Sequence, residues 1–146
     1  MKAKETTNST AKSYALKMRE SYKKYLPEVQ TYMDALLDNL VETDRLKGGD
    51  IVAIDILASA LQTWRLSLAE VQKYGITLIN DRHNRTKNPA IDVGNAALRQ
   101  ATGILQEYGF TAMSRKKLEK REKQDEEPED DSPLANFLKN QLDNPG

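Results

Sequence analysis

The sequence predicts an all-α protein with a helical hairpin, two shorter helices, a disordered acidic linker and a C-terminal amphipathic helix. Leu, Ala, Lys, Glu and Gln, which favour helices, recur along the 146-residue chain. Seven Gly and five Pro are too few for a sandwich or barrel of many short strands and tight turns. Apolar residues recur at spacings of three and four over most of the central region, which is the period of a helix face.

The first 26 residues form a basic N-terminal segment. Residues 1–24 carry a net charge of +5. Within them, residues 11–25 place aromatic and apolar side chains at helical spacing, which predicts a helix over that range. The side chains that form this pattern are Tyr14, Met18, Tyr22 and Tyr25.

Residues 27–123 are predicted to form a helical core and oligomerisation domain. Its first two helices are predicted to pack as a hairpin. Pro27 suits the first turn of a helix, and apolar residues then recur at three and four to about Thr43. A longer helix is predicted from about Asp50 to Tyr74. Asp50 is its expected N-cap, and Gly75 follows its last residue.

The longer helix carries the most regular apolar pattern in the chain. Six side chains step by three or four residues, which is the spacing of a coiled-coil seam. A small domain has a thin core, so burial of this seam against a second subunit competes with burial inside one subunit. We expect a closed cyclic homo-oligomer. The predicted interface residues are Ile54, Leu57, Leu61, Trp64, Leu68 and Val71.

The helical pattern stops after Gly75 and resumes at Asn88. Residues 75–87 predict an extended, partly mobile connector. Asn88 is then placed to cap a third helix with Pro89 in its first turn, and this helix ends at Gly109. A fourth, basic helix follows with Thr111 as its cap. The predicted buried face of the third helix consists of Leu98, Ala101, Leu105 and Tyr108.

The end of the chain combines an acidic run with a short apolar pattern. Residues 125–146 carry a net charge of −6. Because an acidic run without apolar residues cannot offset its ordering entropy, residues 124–131 are predicted to be a disordered linker. Residues 132–146 are predicted to be a helical, partner-binding peptide, and docking of this peptide back on its own oligomer fits the pattern equally well. Its apolar stripe is Leu134, Phe137, Leu138 and Leu142.

The residue inventory supports no catalytic group. The chain has no Cys and a single His, His83, which excludes thiolate zinc sites, cysteine nucleophiles and multi-histidine metal sites within one chain. It contains neither a Gly-rich phosphate loop nor a G-x-S-x-G motif. Asp34 and Asp38 lie one turn apart, as carboxylates on solvated helix faces commonly do. We expect a cytoplasmic protein with no enzyme activity, cofactor, metal or membrane partner.

The net charge of zero conceals basic clusters that suit a polyanion such as DNA. Lys and Arg neutralise phosphates without a recognisable base-reading motif. Three clusters are candidates for DNA binding, the N-terminal one first. They are Lys12, Lys17, Arg19, Lys23 and Lys24, then Arg115, Lys116 and Lys120, and then Arg82, Arg85 and Lys87.

An alternative function is a helical transcription regulator that uses residues 97–123 as a helix-turn-helix with Gly109 in the turn. The register fits only in part. Leu105 occupies a position that needs a small residue, and Arg115 occupies one where the second helix should face its partner. A third class is a scaffold or adaptor protein that touches no nucleic acid.

Three motifs occur in order: Asn88-Pro89-Ala90 opens a helix, Leu105-x-x-Tyr108-Gly109-Phe110-Thr111 follows, and Ser114-Arg115-x-x-Leu118 comes last. A helix that bears Trp64 and ends at Gly75 precedes them. In this order and spacing, residues 27–118 resemble the terminase small subunits of tailed double-stranded DNA phages. One departure is Ala112, where that family usually has Pro.

The resemblance implies a DNA-packaging factor without enzyme activity of its own. Such a protein assembles as a ring, binds double-stranded DNA at the packaging-initiation region of the viral genome, and delivers it to the large terminase subunit. It also modulates the ATPase and nuclease of that subunit. The residues independently favour an all-α fold, no catalytic site, and basic clusters beside an acidic tethered end.

Overall fold

A computed structural model describes the backbone of residues 2–125 and the side chains of residues 9–123. Residues 126–146, which include most of the predicted linker and the whole predicted C-terminal peptide, lie outside the described part. The predicted all-α class is confirmed. The elements in order are α1 (Lys2–Tyr22), α2 (Pro27–Glu42), a 3₁₀ turn (Gly48–Asp50), α3 (Ile51–Tyr74), β1 (Thr77–Ile79), β2 (Arg85–Lys87), α4 (Ala90–Glu107) and α5 (Ala112–Asp125).

The chain divides into two compact units, Met1–Tyr108 and Gly109–Gly146. The first unit therefore joins the N-terminal basic segment to the helices that follow it. The described part of the second unit consists mainly of α5.

Helix α1 begins at Lys2, well before the predicted start at Ala11. Residues 2–5 are good helix formers, whereas residues 6–10 are Thr, Asn and Ser, which gave the sequence no helix signal there. It ends at Tyr22, so Tyr25 lies in the turn to α2 and stacks on Tyr22 at a ring separation of 5.7 Å. The buried face of α1 follows helical spacing. It consists of Ala11, Ala15, Met18 and Tyr22.

Helix α2 has the bounds expected from Pro27 and supplies four of the six largest fully buried side chains among the described residues. Its buried residues are Val29, Met33, Leu36, Leu37 and Leu40. Polar contacts place its start beside the middle of α3. The Leu26 backbone N–H donates to Gln62 Oε1 at 2.9 Å, and Arg65 pairs with Glu28 at 3.5 Å.

Helix α3 packs most extensively on α4, and less on α2. The main antiparallel hairpin is therefore α3–α4, whereas the sequence pattern predicted a hairpin of α2 and α3. Small residues explain the close packing, because they allow two helix axes to approach. A Cβ added to Gly94 would lie 3.0 Å from Ser67 Cβ.

The prediction of which α4 residues are buried is wrong in part. Leu98 is 40% exposed. The residues buried against α3 are Gly94, Ala97 and Ala101, at helical spacing. The close approach of the two helices selects the small side chains for the interface, so the larger Leu98 lies beside it.

The connector between α3 and α4 contains extended backbone as predicted, but its two extended pieces pair as a β-hairpin, which was not predicted. Strands β1 and β2 pair antiparallel, with Leu78 opposite Thr86. Gly75 ends α3 with φ +91°, a conformation that favours glycine, and its N–H donates to Val71 O at 2.8 Å. The hairpin was missed because its strands have only three residues each and no Asn-Gly or Asp-Gly turn.

Asn88 joins the base of this hairpin to the start of α4. Its Oδ1 accepts from the Ala90 N–H at 3.0 Å, which is the predicted capping bond, and Pro89 already has helical φ and ψ. Its Nδ2 donates to Gly75 O at 2.9 Å, and its backbone N–H donates to Ile76 O at 2.8 Å. Asn88 is only 2% exposed, so these bonds are formed away from water.

Asp50 precedes α3 as expected, but its side chain does not cap that helix. Its carboxylate accepts from the Lys47 backbone N–H at 2.9 Å and from the Tyr108 hydroxyl at 2.9 Å. The second bond links the start of α3 to the end of α4. Burial, together with the bond to Asp50, raises the pKa of Tyr108 to about 12.

Residues 48–74 are the segment of the described chain that is long and apolar enough to cross a bilayer, by length and composition alone. A central core helix has the same composition, and α3 contacts α1, α2 and α4. Packing in the core and an exposed apolar surface toward the end of the helix account for the apolar residues of α3.

In the second unit, α5 begins with the predicted cap. Thr111 Oγ1 accepts from the Ser114 N–H at 3.2 Å, and Ser114 Oγ accepts in return from the Thr111 N–H at 3.2 Å. Helix α5 then runs to Asp125, slightly past the predicted end of the folded part near Lys123.

Candidate functional site

Residues 66–98 form an arm. It consists of the last nine residues of α3, the hairpin, and the first nine residues of α4. After Leu61, Ser67 is the one α3 side chain that is buried in the described structure. Within the first unit, the two helices of the arm therefore have no third helical layer over their described side chains. Its exposed large apolar side chains are Leu66, Leu68, Tyr74, Ile76, Ile79, Val93 and Leu98.

One side of the arm, together with Trp64 two residues before it, forms an apolar groove between α3 and α4. Trp64, Leu68 and Val71 line it from α3, and Ala90 and Ile91 line it from α4. An apolar groove flanked by further exposed apolar side chains is a candidate interaction site. The groove exists because Gly94 and Ser67 form its floor and carry little side-chain volume.

The six predicted interface residues fall into two groups. Ile54, Leu57 and Leu61 are buried in the core of the protomer itself. Leu68 is 36% exposed and lines the groove, together with the half-buried Trp64 and Val71. The first group is thus committed to the fold, and the second is available to another molecule.

The predicted N-terminal basic cluster is partly engaged within the fold. Arg19 lies between α1 and α2, where its Nε is 3.2 Å from Asp34 Oδ1 and its guanidinium also pairs with Asp38. These two carboxylates therefore hold an arginine. Lys12 and Lys17 are exposed.

The last two cations of this cluster have neighbours close in sequence. Lys23 pairs with Glu20 at 2.7 Å, and the Lys24 ammonium lies 5.5 Å from the centre of the Tyr25 ring. Both lysines are exposed, so these contacts are weak and leave their charge accessible to solvent.

The hairpin carries the third predicted cluster of cations. Arg82 lies at the tip, Arg85 lies on β2, and Lys87 pairs with Asp92 of α4. Arg82 and Arg85 are exposed and have no ion pair with the residues that the structure describes. In the second unit, Arg115, Lys116 and Lys120 are exposed along α5.

Sequence reasoning missed the apolar residues of the hairpin and of α4 that complete the arm. Ile76 and Ile79 are 68% and 72% exposed. Val93 and Ile91 lie on opposite sides of the α3–α4 contact, facing different grooves. The sequence signal for these hairpin residues was the apolar run at residues 76–79, whose spacing does not fit one face of a helix.

Comparison with known proteins assigns a family to this helical architecture. The family described as phage terminase, small subunit, matches residues 30–125, about two thirds of the chain. The chain therefore belongs to the phage terminase small-subunit family, as its motifs suggested. No curated protein and no solved structure gave a match.

Membership defines a role in phage DNA packaging in general terms, in a family that is typically non-catalytic. Across the residues that the structure describes, no group of three or more His, Asp or Glu side chains is arranged to hold a metal ion.

Proposed function

We propose that this chain binds the packaging-initiation region of a phage genome and recruits and regulates the large terminase subunit. The match over residues 30–125 carries the proposal. The chain would act in the host bacterial cytoplasm, without cofactor and without enzyme activity of its own, as an assembly that brings DNA to the catalytic subunit.

Assembly as a ring is supported by the uncovered arm. The two sides of the α3–α4 contact differ, because one is the apolar groove around Leu68 and the other contains Ile56 and Val93 with several polar residues. Contacts between unlike sides generate closed rings when the rotation between subunits closes. The ring interface would thus use Trp64, Leu68 and Val71.

Native mass spectrometry tests this assembly. Leu68→Asp is expected to reduce the oligomer to smaller species, because a carboxylate would be buried at the interface. Leu16→Asp is the matched control, since Leu16 is an exposed leucine on α1 outside the arm. A monomeric wild-type mass at tens of micromolar would contradict the ring, and a dimer would favour the transcription-regulator alternative.

DNA binding is supported by exposed cations in three places: α1, the hairpin and α5. Removal of one cation that touches a phosphate lowers the slope of log affinity against log salt by about 0.9 for duplex DNA. Lys12→Ala with Lys17→Ala is therefore compared with Arg115→Ala, Lys116→Ala and Lys120→Ala. Absence of salt-dependent binding by the wild-type chain would leave only the adaptor alternative.

Recruitment of the large subunit is assigned to residues 132–146, which lie outside the described residues. Deletion of this segment is expected to abolish co-purification with the large subunit and to leave oligomer mass and DNA retention unchanged. Phe137→Ala with Leu138→Ala should reproduce that loss. A truncated chain that loses its oligomeric state would instead show that the peptide docks on its own oligomer.

A further inference from the structure

The hairpin and its three flanking residues, together residues 75–88, form a short ribbon that is fixed at both ends. At its base, Asn88 bonds to the backbone of Gly75 and Ile76. At its tip, Asn80 Oδ1 accepts from the backbone N–H groups of Arg82 and Asn84, each at 3.0 Å. These bonds order the loop before any partner binds, which lowers the entropy cost of binding.

One face of the ribbon combines cations with an exposed apolar side chain. Thr77 lies opposite Lys87, and Ile79 lies opposite Arg85. The backbone N–H of Asn80 donates to Asn84 O at 3.0 Å, which makes the adjacent Ile79–Arg85 pair a non-hydrogen-bonded one. Side chains in such pairs are close, at about 4.5–5.5 Å between Cβ atoms, and share one face.

The charge of the ribbon favours a polyanionic partner over a second copy of the same ribbon. Residues 75–88 contain three cations and one carboxylate, Asp81. Two such ribbons placed edge to edge would bring like charges together, and a lysine or arginine on an exposed strand discourages pairing of this kind. Phosphates, in contrast, would be neutralised by Arg82 and Arg85.

We propose that this ribbon enters a groove of duplex DNA, with Arg82 and Arg85 against the phosphates and Ile79 against the base edges. The major groove, about 12 Å wide, admits a two-stranded β-ribbon. The proposal deepens the DNA binding proposed above and rests on it. It makes the end of the arm a DNA-contacting element in addition to the cations of α1 and α5.

The electrostatic part is tested by fluorescence anisotropy of the full-length protein with a short labelled duplex, at about 50 to 200 mM salt. Arg82→Gln and Arg85→Gln are each expected to lower the log–log salt slope by about 0.9. Arg99→Gln is the matched control, because Arg99 is an exposed arginine on α4 outside the ribbon. Its slope should equal that of the wild type.

The apolar part is tested by Ile79→Thr, which keeps a β-branched side chain on the strand and removes apolar surface. Affinity should fall about tenfold, with an unchanged salt slope, since the charge of the ribbon stays the same. Ile76→Thr is the control. Ile76 is almost equally exposed but lies at the base of the ribbon, and its substitution should leave affinity unchanged.

Two results separate the failure of this proposal from the failure of DNA binding itself. If the wild type binds duplex DNA and the Arg82 and Arg85 variants keep its slope, the ribbon proposal is overturned and the proposed function stands. If the wild type shows no salt-dependent binding, both are overturned. A reduced oligomer mass in the ribbon variants would assign the ribbon to contacts between copies and also overturn the proposal.

Discussion

Gly94 and Gly103 lie on the same helix, α4, in very different surroundings. A Cβ on Gly94 would lie 3.0 Å from Ser67 Cβ, whereas a Cβ on Gly103 meets no described atom within 4 Å. Replacing either glycine with alanine removes backbone entropy from the unfolded chain and favours the helix by about 1 kcal/mol. The two substitutions therefore share this stabilising effect and differ in the steric clash.

The magnitude follows from that clash. Carbon atoms pack best at about 3.5–4.0 Å, so 3.0 Å is well inside the repulsive range. Overpacking of this kind typically costs about 1–3 kcal/mol. Gly94→Ala should therefore lower the free energy of unfolding by between about zero and about 2 kcal/mol. Gly103→Ala should raise it by up to about 1 kcal/mol.

The assay is urea unfolding followed by circular dichroism, at one fixed protomer concentration because assembly adds to apparent stability. Ser67→Gly combined with Gly94→Ala moves the small residue to the other helix and should recover part of the stability, which a double-mutant cycle measures. Equal stabilisation by Gly94→Ala and Gly103→Ala would refute the close approach of α3 and α4.

Four further substitutions test separate parts of the fold. Leu61→Asp should lower the free energy of unfolding by several kcal/mol, measured by thermal melting, because Leu61 is buried within the protomer. Leu68→Asp should instead change the oligomer mass with little loss of helix content. The pKa of Tyr108 is raised above its ordinary value of 10 to about 12, so its contribution to stability is complete below pH 10 and disappears between about pH 10 and 12. Tyr108→Phe should remove that part of the alkaline destabilisation seen in melts against pH. Asn88→Ala should cost about 2 kcal/mol, because it removes a helix cap and the bond to the Gly75 carbonyl, and urea unfolding that matches the wild type would contradict this role.

The helices could be located from the sequence because their signals are local. Pro27 at the start of α2, Gly75 after α3 and the Thr111 cap of α5 each act through neighbouring backbone groups, so the residue types alone indicate the boundaries. The order of Asn88-Pro89-Ala90, Tyr108-Gly109 and Ser114-Arg115 likewise sufficed to recognise the family, which the match over residues 30–125 confirms.

Tertiary packing decided which apolar residues are buried and which cations remain accessible. Leu61 and Leu68 belong to one regular pattern, yet Leu61 is buried within the protomer and Leu68 lies on the uncovered arm. In the sequence, Arg19 cannot be told from the other basic residues. In the fold, Asp34 and Asp38 of α2 lie beside it and form ion pairs with it. The physical reason is that burial and ion pairing depend on contacts between residues distant in sequence, whereas caps and helix periods depend on residues at most a few positions apart.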